Sequence, residues 1–302
     1  METKPVRSPN IPRLAPLPLL CWLLCCAAMA GADASFEEGI LLIDHPPLHA
    51  DASVRTPSKP TDWKPGKTLF ILATKQSNGE TWYCVSAQPP TTKGEPSRTA
   101  WLPEAYLAPP PIPIDGSEDA PVASIPVDRH HGLPPDYQPA DLVSIRKVWR
   151  YQDKINYRLR REAAAALDRM LQAAREEGIR MWVLSAYRSW DKQQHLYEHR
   201  LRKSGRHQST VARPGHSEHQ LGLAVDLTDG NLETLLKPAF ADTRAGRWLR
   251  KNAPRFGFAQ SYTSANQSRT GFSAEPWHYR YWGTQEALQQ HQQAFAPDPS
   301  QP

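Results

Sequence analysis

Residues 157–189 read YRLRREAAAALDRMLQAAREEGIRMWVLSAYRS, and the change of hydrophobic period inside them decides the fold class. Leu159, Ala163, Ala166, Leu167, Met170, Leu171 and Ala174 recur at spacings of three and four, with Arg, Glu and Asp on the other positions. That pattern is the apolar face of a helix, predicted over Tyr157–Glu177 and ended by Gly178. Ile179 to Leu184 is then dominated by apolar residues, as in a buried strand, and runs into Ser185-Ala186-Tyr187-Arg188-Ser189. A second helix is expected from Trp190 to Arg202, and a strand over Leu221–Leu227, where apolar residues alternate around glycine. Helices and strands follow one another without regular βαβ alternation. This predicts an α+β domain, an antiparallel sheet with flanking helices, over residues 133–288.

Upstream of that domain the composition changes twice. The chain has 302 residues, enough for two domains, and 30 prolines, about twice the usual share. Nine prolines fall between Pro109 and Pro139, so residues 109–132 are expected to form an extended polyproline-like linker. Before it, residues 35–108 hold short strand patterns separated by turn signals. Thr68–Ala73 is apolar, Ser77-Asn78-Gly79-Glu80 is a turn, and Thr81-Trp82-Tyr83-Cys84-Val85 is rich in β-formers. The order of Ala52-Ser53-Val54-Arg55, Lys64-Pro65-Gly66, the Trp82 strand and Ala100-Trp101-Leu102-Pro103 resembles a bacterial SH3-like domain, a small all-β unit. Residues 289–302, rich in Gln and Pro, read as a solvated tail.

The N-terminus sets the expected compartment. Lys4, Arg7 and Arg13 precede a mostly apolar stretch from Ala15 to Met29, and small residues follow at Ala28, Ala30, Ala32 and Ala34. Residues 1–34 therefore read as a signal peptide, with an uncleaved anchor as the alternative, and the protein is expected in the periplasm or cell envelope. Cys21, Cys25 and Cys26 lie in this segment. Cys84 is thus alone in the mature chain, which excludes an internal disulfide and a cysteine-built zinc site. A formal charge of +5 suits an anionic surrounding, but no run of five or six Lys/Arg suggests a nucleic-acid arm. No nucleic-acid partner is expected, and no membrane contact beyond that anchor.

The chain contains 11 histidines. His45, His49, His130, His131, His207 and His291 fall in predicted loops or the tail and read as solvated. His195 and His199 match the zinc-binding pattern H-x-x-E-H and would share one helix face, but no acidic third ligand follows on a downstream helix. A richer set is Pro214-Gly215-His216-Ser217-Glu218-His219-Gln220-Leu221-Gly222-Leu223-Ala224-Val225-Asp226-Leu227, followed by Glu275-Pro276-Trp277-His278-Tyr279-Arg280-Tyr281. Hydrolytic zinc takes three protein ligands from His and carboxylate and keeps a fourth position for water. His219, Asp226 and His278 supply such a set, and Glu275 is a natural general base. Gly222 and Ala224 are expected to keep the intervening strand slim.

Together these segments resemble the zinc D-alanyl-D-alanine carboxypeptidases of the VanY type, which group with lysostaphin and hedgehog folds. The likeness runs over most of residues 133–284, including Leu133-Pro134, Ser185-Ala186-Tyr187-Arg188-Ser189 and Leu196-Tyr197. It implies Zn²⁺ on His219, Asp226 and His278, Glu275 as base, and Arg188 as the oxyanion donor. It also implies substrate contacts at Gln193 and Ser217. Arg280 reads either as a reader of the substrate carboxylate or as an ion pair bracing the sheet. The implied activity is removal of a terminal D-alanine from peptidoglycan stem peptides, with cell-wall binding through the N-terminal domain. An L,D-carboxypeptidase, a cross-link endopeptidase and a catalytically silent wall-binding protein are the alternatives.

Overall fold

The computed structural model describes residues 37–52, 62–89, 99–111, 125–208 and 210–283, with 289–290 and 292–293 of the tail. The signal segment, Ser53–Arg55 of the SH3-like pattern, most of the Pro-rich stretch and His291 lie outside the described residues. Among the described residues no helix is long and apolar enough to cross a membrane.

The first strands are β1 (Glu37–Leu41), β2 (Thr68–Ser77), β3 (Glu80–Ser86), β4 (Thr99–Pro103) and β5 (Leu107–Ala108). They form a five-stranded antiparallel sheet in the order β4-β3-β2-β1-β5. Asn78 and Gly79, both with positive φ, make the tight β2–β3 hairpin that the turn signal anticipates. Leu41, Leu42, Leu69, Val85 and Leu102 are buried in its core. His49 is buried too, edge-on to Trp82 at 5.2 Å between ring centroids, so it is a packed ring and not a solvated one.

The second body carries the short pair β6 (Leu142–Ser144) and β7 (Arg158–Arg160), then helix α1 (Arg161–Glu176). The helix starts four residues later than the periodicity suggests. Arg158-Leu159-Arg160 satisfies its backbone by pairing with Leu142–Ser144, and Leu159 is buried from a strand instead of a helix. Gly178 ends the turn with φ 72°, as expected. The main sheet contains β8 (Trp182–Ser185), β9 (Ala224–Thr228), β10 (Phe258–Gln260) and β11 (His278–Tyr281), antiparallel in the order β10-β11-β9-β8. Helix α2 (Trp190–Ser204) begins at Ser189, whose hydroxyl accepts from the Lys192 N–H, and α3 (Arg244–Asn252) packs into the core through Ala245, Trp248 and Leu249. The α1 face built from Ala163, Ala166, Leu167, Met170, Leu171 and Ala174 packs in the same core as Val183, Val225, Leu227 and Tyr279. Val127, in the stretch read as linker, is buried in this core as well.

The predicted strand over Leu221–Leu227 is half strand only. Residues Glu218–Leu221 form a short 3-10 helix, Gly222 closes it at φ 70°, and extended pairing begins at Ala224. Gly222 is needed for that left-handed turn and for packing, since a Cβ there would lie 2.9 Å from Leu142 Cδ2. Slimness toward a substrate is not its role.

Candidate metal centre

Strand register brings two of the predicted ligands together. His278, the first residue of β11, sits directly opposite Asp226 in the middle of β9. His219 comes from the 3-10 turn that feeds β9, so the tight reversal at Gly222 returns its ring over the strand. His278 Nδ1 lies 3.0 Å from Asp226 Oδ1, and His219 Nε2 lies 3.2 Å from Asp226 Oδ2. One donor atom from each of the three residues falls within 4.8 Å of the others, and all three side chains are buried.

Each ring is held by its other nitrogen. His219 Nδ1 is 2.8 Å from the Ala186 carbonyl, so it donates there and leaves Nε2 with its lone pair toward the site. His278 Nε2 is 2.8 Å from Glu218 Oε2. A carboxylate behind a ligating imidazole fixes tautomer and ring angle and makes the ligand more basic. Burial alone would push the His278 imidazole down, but Asp226 and Glu218 on its two sides more than offset this and hold it at about 10. Glu218 itself is held down to about 2, because His278 and Arg280 outweigh its burial. Two imidazole nitrogens and a carboxylate oxygen, converging in a buried site that demands positive charge, fit a tetrahedral divalent ion such as zinc with one position open.

Glu275 lies in the turn before β11, its Oε2 4.0 Å from His278 Nδ1. Burial raises its carboxyl to about 7, within the range useful to a base at neutral pH. Arg188 meets the cluster at Asp226. Its Nη2 is 4.0 Å from Asp226 Oδ2 and donates to Ser185 Oγ at 3.2 Å, while Nη1 donates to Gln193 Oε1 at 2.8 Å. A register shift between Val183 and Ser185 puts Ser185 opposite Asp226, which allows this contact. Arg188, Gln193, Ser217, Glu275 and the three donor residues all line one cleft of about 630 Å³.

Two sequence readings narrow and a third holds. Arg280 is 1% exposed, donates to Glu218 Oε1 at 3.1 Å and to the Ile125 carbonyl at 2.8 Å, and stacks on Trp282. It braces the sheet behind His278 and does not line the cleft, so it is not placed to read a substrate. The Gln193 amide is committed on both ends, to Arg188 and to the Ala212 carbonyl at 2.7 Å, which makes it a positioning residue for Arg188. His195 and His199 are exposed on α2 and outside the metal cluster, and the Glu198 between them accepts from the Asp44 N–H.

Sequence reasoning passed over Glu218, Tyr262 and Arg200. Glu218 stands between two recognised residues, but only its burial and its contacts reveal a role. Tyr262 stacks on His278 at 5.1 Å, and nothing in its local sequence announces that. Arg200 was accessible to sequence reasoning: Gln193, Leu196 and Arg200 are spaced three and four apart on α2, and all three line the cleft.

The VanY family model, described as D-alanyl-D-alanine carboxypeptidase, matches residues 156–284. YodJ of Bacillus subtilis (strain 168) is 37% identical over 164 residues, covering 53% of this chain and 60% of YodJ. The bifunctional D-Ala-D-Ala dipeptidase and D-Ala-D-Ala carboxypeptidase VanXYC of Enterococcus gallinarum is 33% identical over 162 residues, covering 52% of this chain and 82% of VanXYC. Among solved structures, the LdcB LD-carboxypeptidase is similar with a TM-score of 0.52 at 35% identity, over 55% of this chain and 79% of that one. The chain therefore spans less than two thirds of YodJ but most of VanXYC. The matched residues enclose all three convergent donors together with Arg188 and Glu275, and on this evidence the chain belongs to the VanY D-alanyl-D-alanine carboxypeptidase family.

Proposed function

We propose that the protein is an exported zinc carboxypeptidase that removes the terminal D-alanine from peptidoglycan stem peptides. The observation that carries this reading is the convergence of His219, Asp226 and His278 donors within 4.8 Å, with Glu275 and Arg188 in the same cleft. Zinc held there would supply Lewis acidity to the scissile carbonyl and acidify the attacking water. Glu275 takes the proton of that water and delivers it to the leaving amine. Arg188, fixed by Gln193 and Ser185, donates to the developing oxyanion, a contribution of ~3–4 kcal/mol for one well-placed donor. Ser217 and Arg200 are the cleft donors assigned to the substrate, with Arg200 taking the carboxylate-reading role that the buried Arg280 cannot fill.

The five-stranded sheet is assigned as the SH3-like unit, and residues 1–34 as the signal that exports the chain. The sheet is given a wall-binding role on the strength of the SH3-like sequence pattern alone. A second reading, L,D-carboxypeptidase, is favoured by the likeness to LdcB. One experiment decides between the two: the purified mature chain is incubated with zinc and with a pentapeptide or a tetrapeptide stem, and the products are weighed by mass spectrometry. Loss of one alanine from the pentapeptide is expected. Loss from the tetrapeptide alone would establish the L,D reading, and no loss from either would overturn both. Amidating the terminal carboxylate should lower kcat/KM by roughly ten- to a hundredfold, and Arg200→Gln should abolish that discrimination.

A further inference from the structure

A groove of about 500 Å³ lies between the five-stranded sheet and the body that carries the metal centre. Thr81, Tyr83 and Glu104 line its sheet side, and Arg129, Arg206 and Arg213 its other side. It adjoins the catalytic cleft, because Val211, Ala212 and Phe272 line both. The Ala212 carbonyl on that shared wall is the one that anchors Gln193, and through it Arg188.

The two bodies meet around this groove through specific contacts. Tyr197 and Trp190 of α2 are buried in the core of the sheet, and the Tyr197 hydroxyl donates to the Ala105 carbonyl at 2.9 Å. Arg206 pairs with Glu80 at 2.8 Å and Arg213 with Glu104 at 3.3 Å, each across the boundary. Three guanidiniums thus face two carboxylates among the described lining residues. Arg129 is set in place by stacking on Phe272 at 4.6 Å and by donating to the Gly271 carbonyl. Burial, and after it the nearby Arg213 charge, push the Arg129 guanidinium below its ordinary value.

We propose that this inter-body groove binds the part of an acidic peptide substrate that precedes the scissile bond. The inference rests on the carboxypeptidase reading. An enzyme that removes one C-terminal residue has all the remaining substrate on the N-terminal side, so whatever extends past the metal cleft must be that portion. The trough gives it room beside the cleft, a volume in the range of ligand sites, aromatic walls at Tyr83 and Phe272, and three guanidiniums for its carboxylates. In this view the N-terminal sheet forms one wall of the substrate site, and is more than a tethered wall anchor.

The test compares an acidic pentapeptide ending in D-Ala-D-Ala, the same peptide with its internal carboxylates amidated, and N-acetyl-D-Ala-D-Ala. Thr81→Trp, which places bulk on the sheet wall, should lower the kcat/KM ratio of pentapeptide to acetyl dipeptide at least tenfold. Arg129→Gln should remove a preference of about tenfold for the acidic over the amidated pentapeptide. Unchanged ratios in both variants would overturn the proposal. Binding is measured in parallel by calorimetry on zinc-loaded Glu275→Gln protein, so that failure of the peptidase reading is seen separately. A tenfold weaker Kd for the acidic pentapeptide on adding Thr81→Trp or Arg129→Gln supports the groove even if no substrate is cleaved, and an equal Kd in both counts against it.

Discussion

Glu218 gives His278 a partner on the side away from the donor cluster, and that arrangement has a measurable consequence. The carboxylate accepts from His278 Nε2, Arg280 and Ser261 Oγ at once, the last at 2.6 Å. Glu218→Gln keeps the shape but removes the charge that orients the imidazole and makes it basic. Zinc affinity should fall by roughly 10- to 100-fold in competition with a chromogenic chelator. Unaltered affinity would mean that Glu218 serves Arg280 alone. Glu275→Gln should behave in the opposite way: zinc is retained while kcat drops by ~10²–10⁴, the usual loss for a positioned base. Near wild-type turnover in that variant would make Glu275 a bystander beside the site.

At the scale of elements, α2 works on two fronts. Gln193 on one face holds Arg188 in the cleft, while Tyr197 and Glu198 attach the helix to the N-terminal sheet. Its apolar pattern is weak because part of its buried face meets a second body and part lines a cleft, and neither demand produces a clean stripe. The turn at Gly222 shows a different kind of dependence. The 3-10 helix and β9 place His219 and Asp226 only if the chain reverses there in the left-handed region. Gly222→Ala combines an unfavourable φ with a Cβ contact to Leu142, and should cost about 1–3 kcal/mol. Urea denaturation measures this directly, and a loss below about 0.5 kcal/mol would mean the turn relaxes freely.

For the whole molecule, acid sensitivity is set in part by one packed histidine. His216 donates through Nδ1 to the Asp128 carbonyl at 2.7 Å, and its other nitrogen is so tightly covered that a Cβ on Gly132 would lie 2.7 Å away. Burial holds this imidazole down at about 4 in the folded chain. An unfolded imidazole protonates near the ordinary value of about 6.5, so between the two values the unfolded state binds the extra proton. Stability present above pH 6.5 is therefore lost as the pH falls toward 4, by about 2 kcal/mol at pH 5. The difference in unfolding free energy between pH 7.5 and pH 5 should shrink by that amount in His216→Asn. An equal difference in both proteins would show that the ring charges in place.

The α+β class, the α1 face and the metal donors could all be read from residues 157–189, 214–227 and 275–281. Hydrophobic period is a local property, and zinc chemistry admits few residue types. The β6–β7 pairing that shortens α1 could not be read, since a three-residue strand has too few positions to show a period. Nor could the fate of Arg280, for sequence puts it two residues from His278 but only the sheet decides which face it takes. Its side chain ends beneath Glu218, and Arg200, from a helix distant in sequence, lines the cleft instead. Sequence by itself determined which atoms can bind a metal. Tertiary structure alone decided which carboxylate stands behind His278, which cations line the cleft and that the N-terminal sheet packs against α2, because each depends on residues far apart in the chain meeting across buried surfaces.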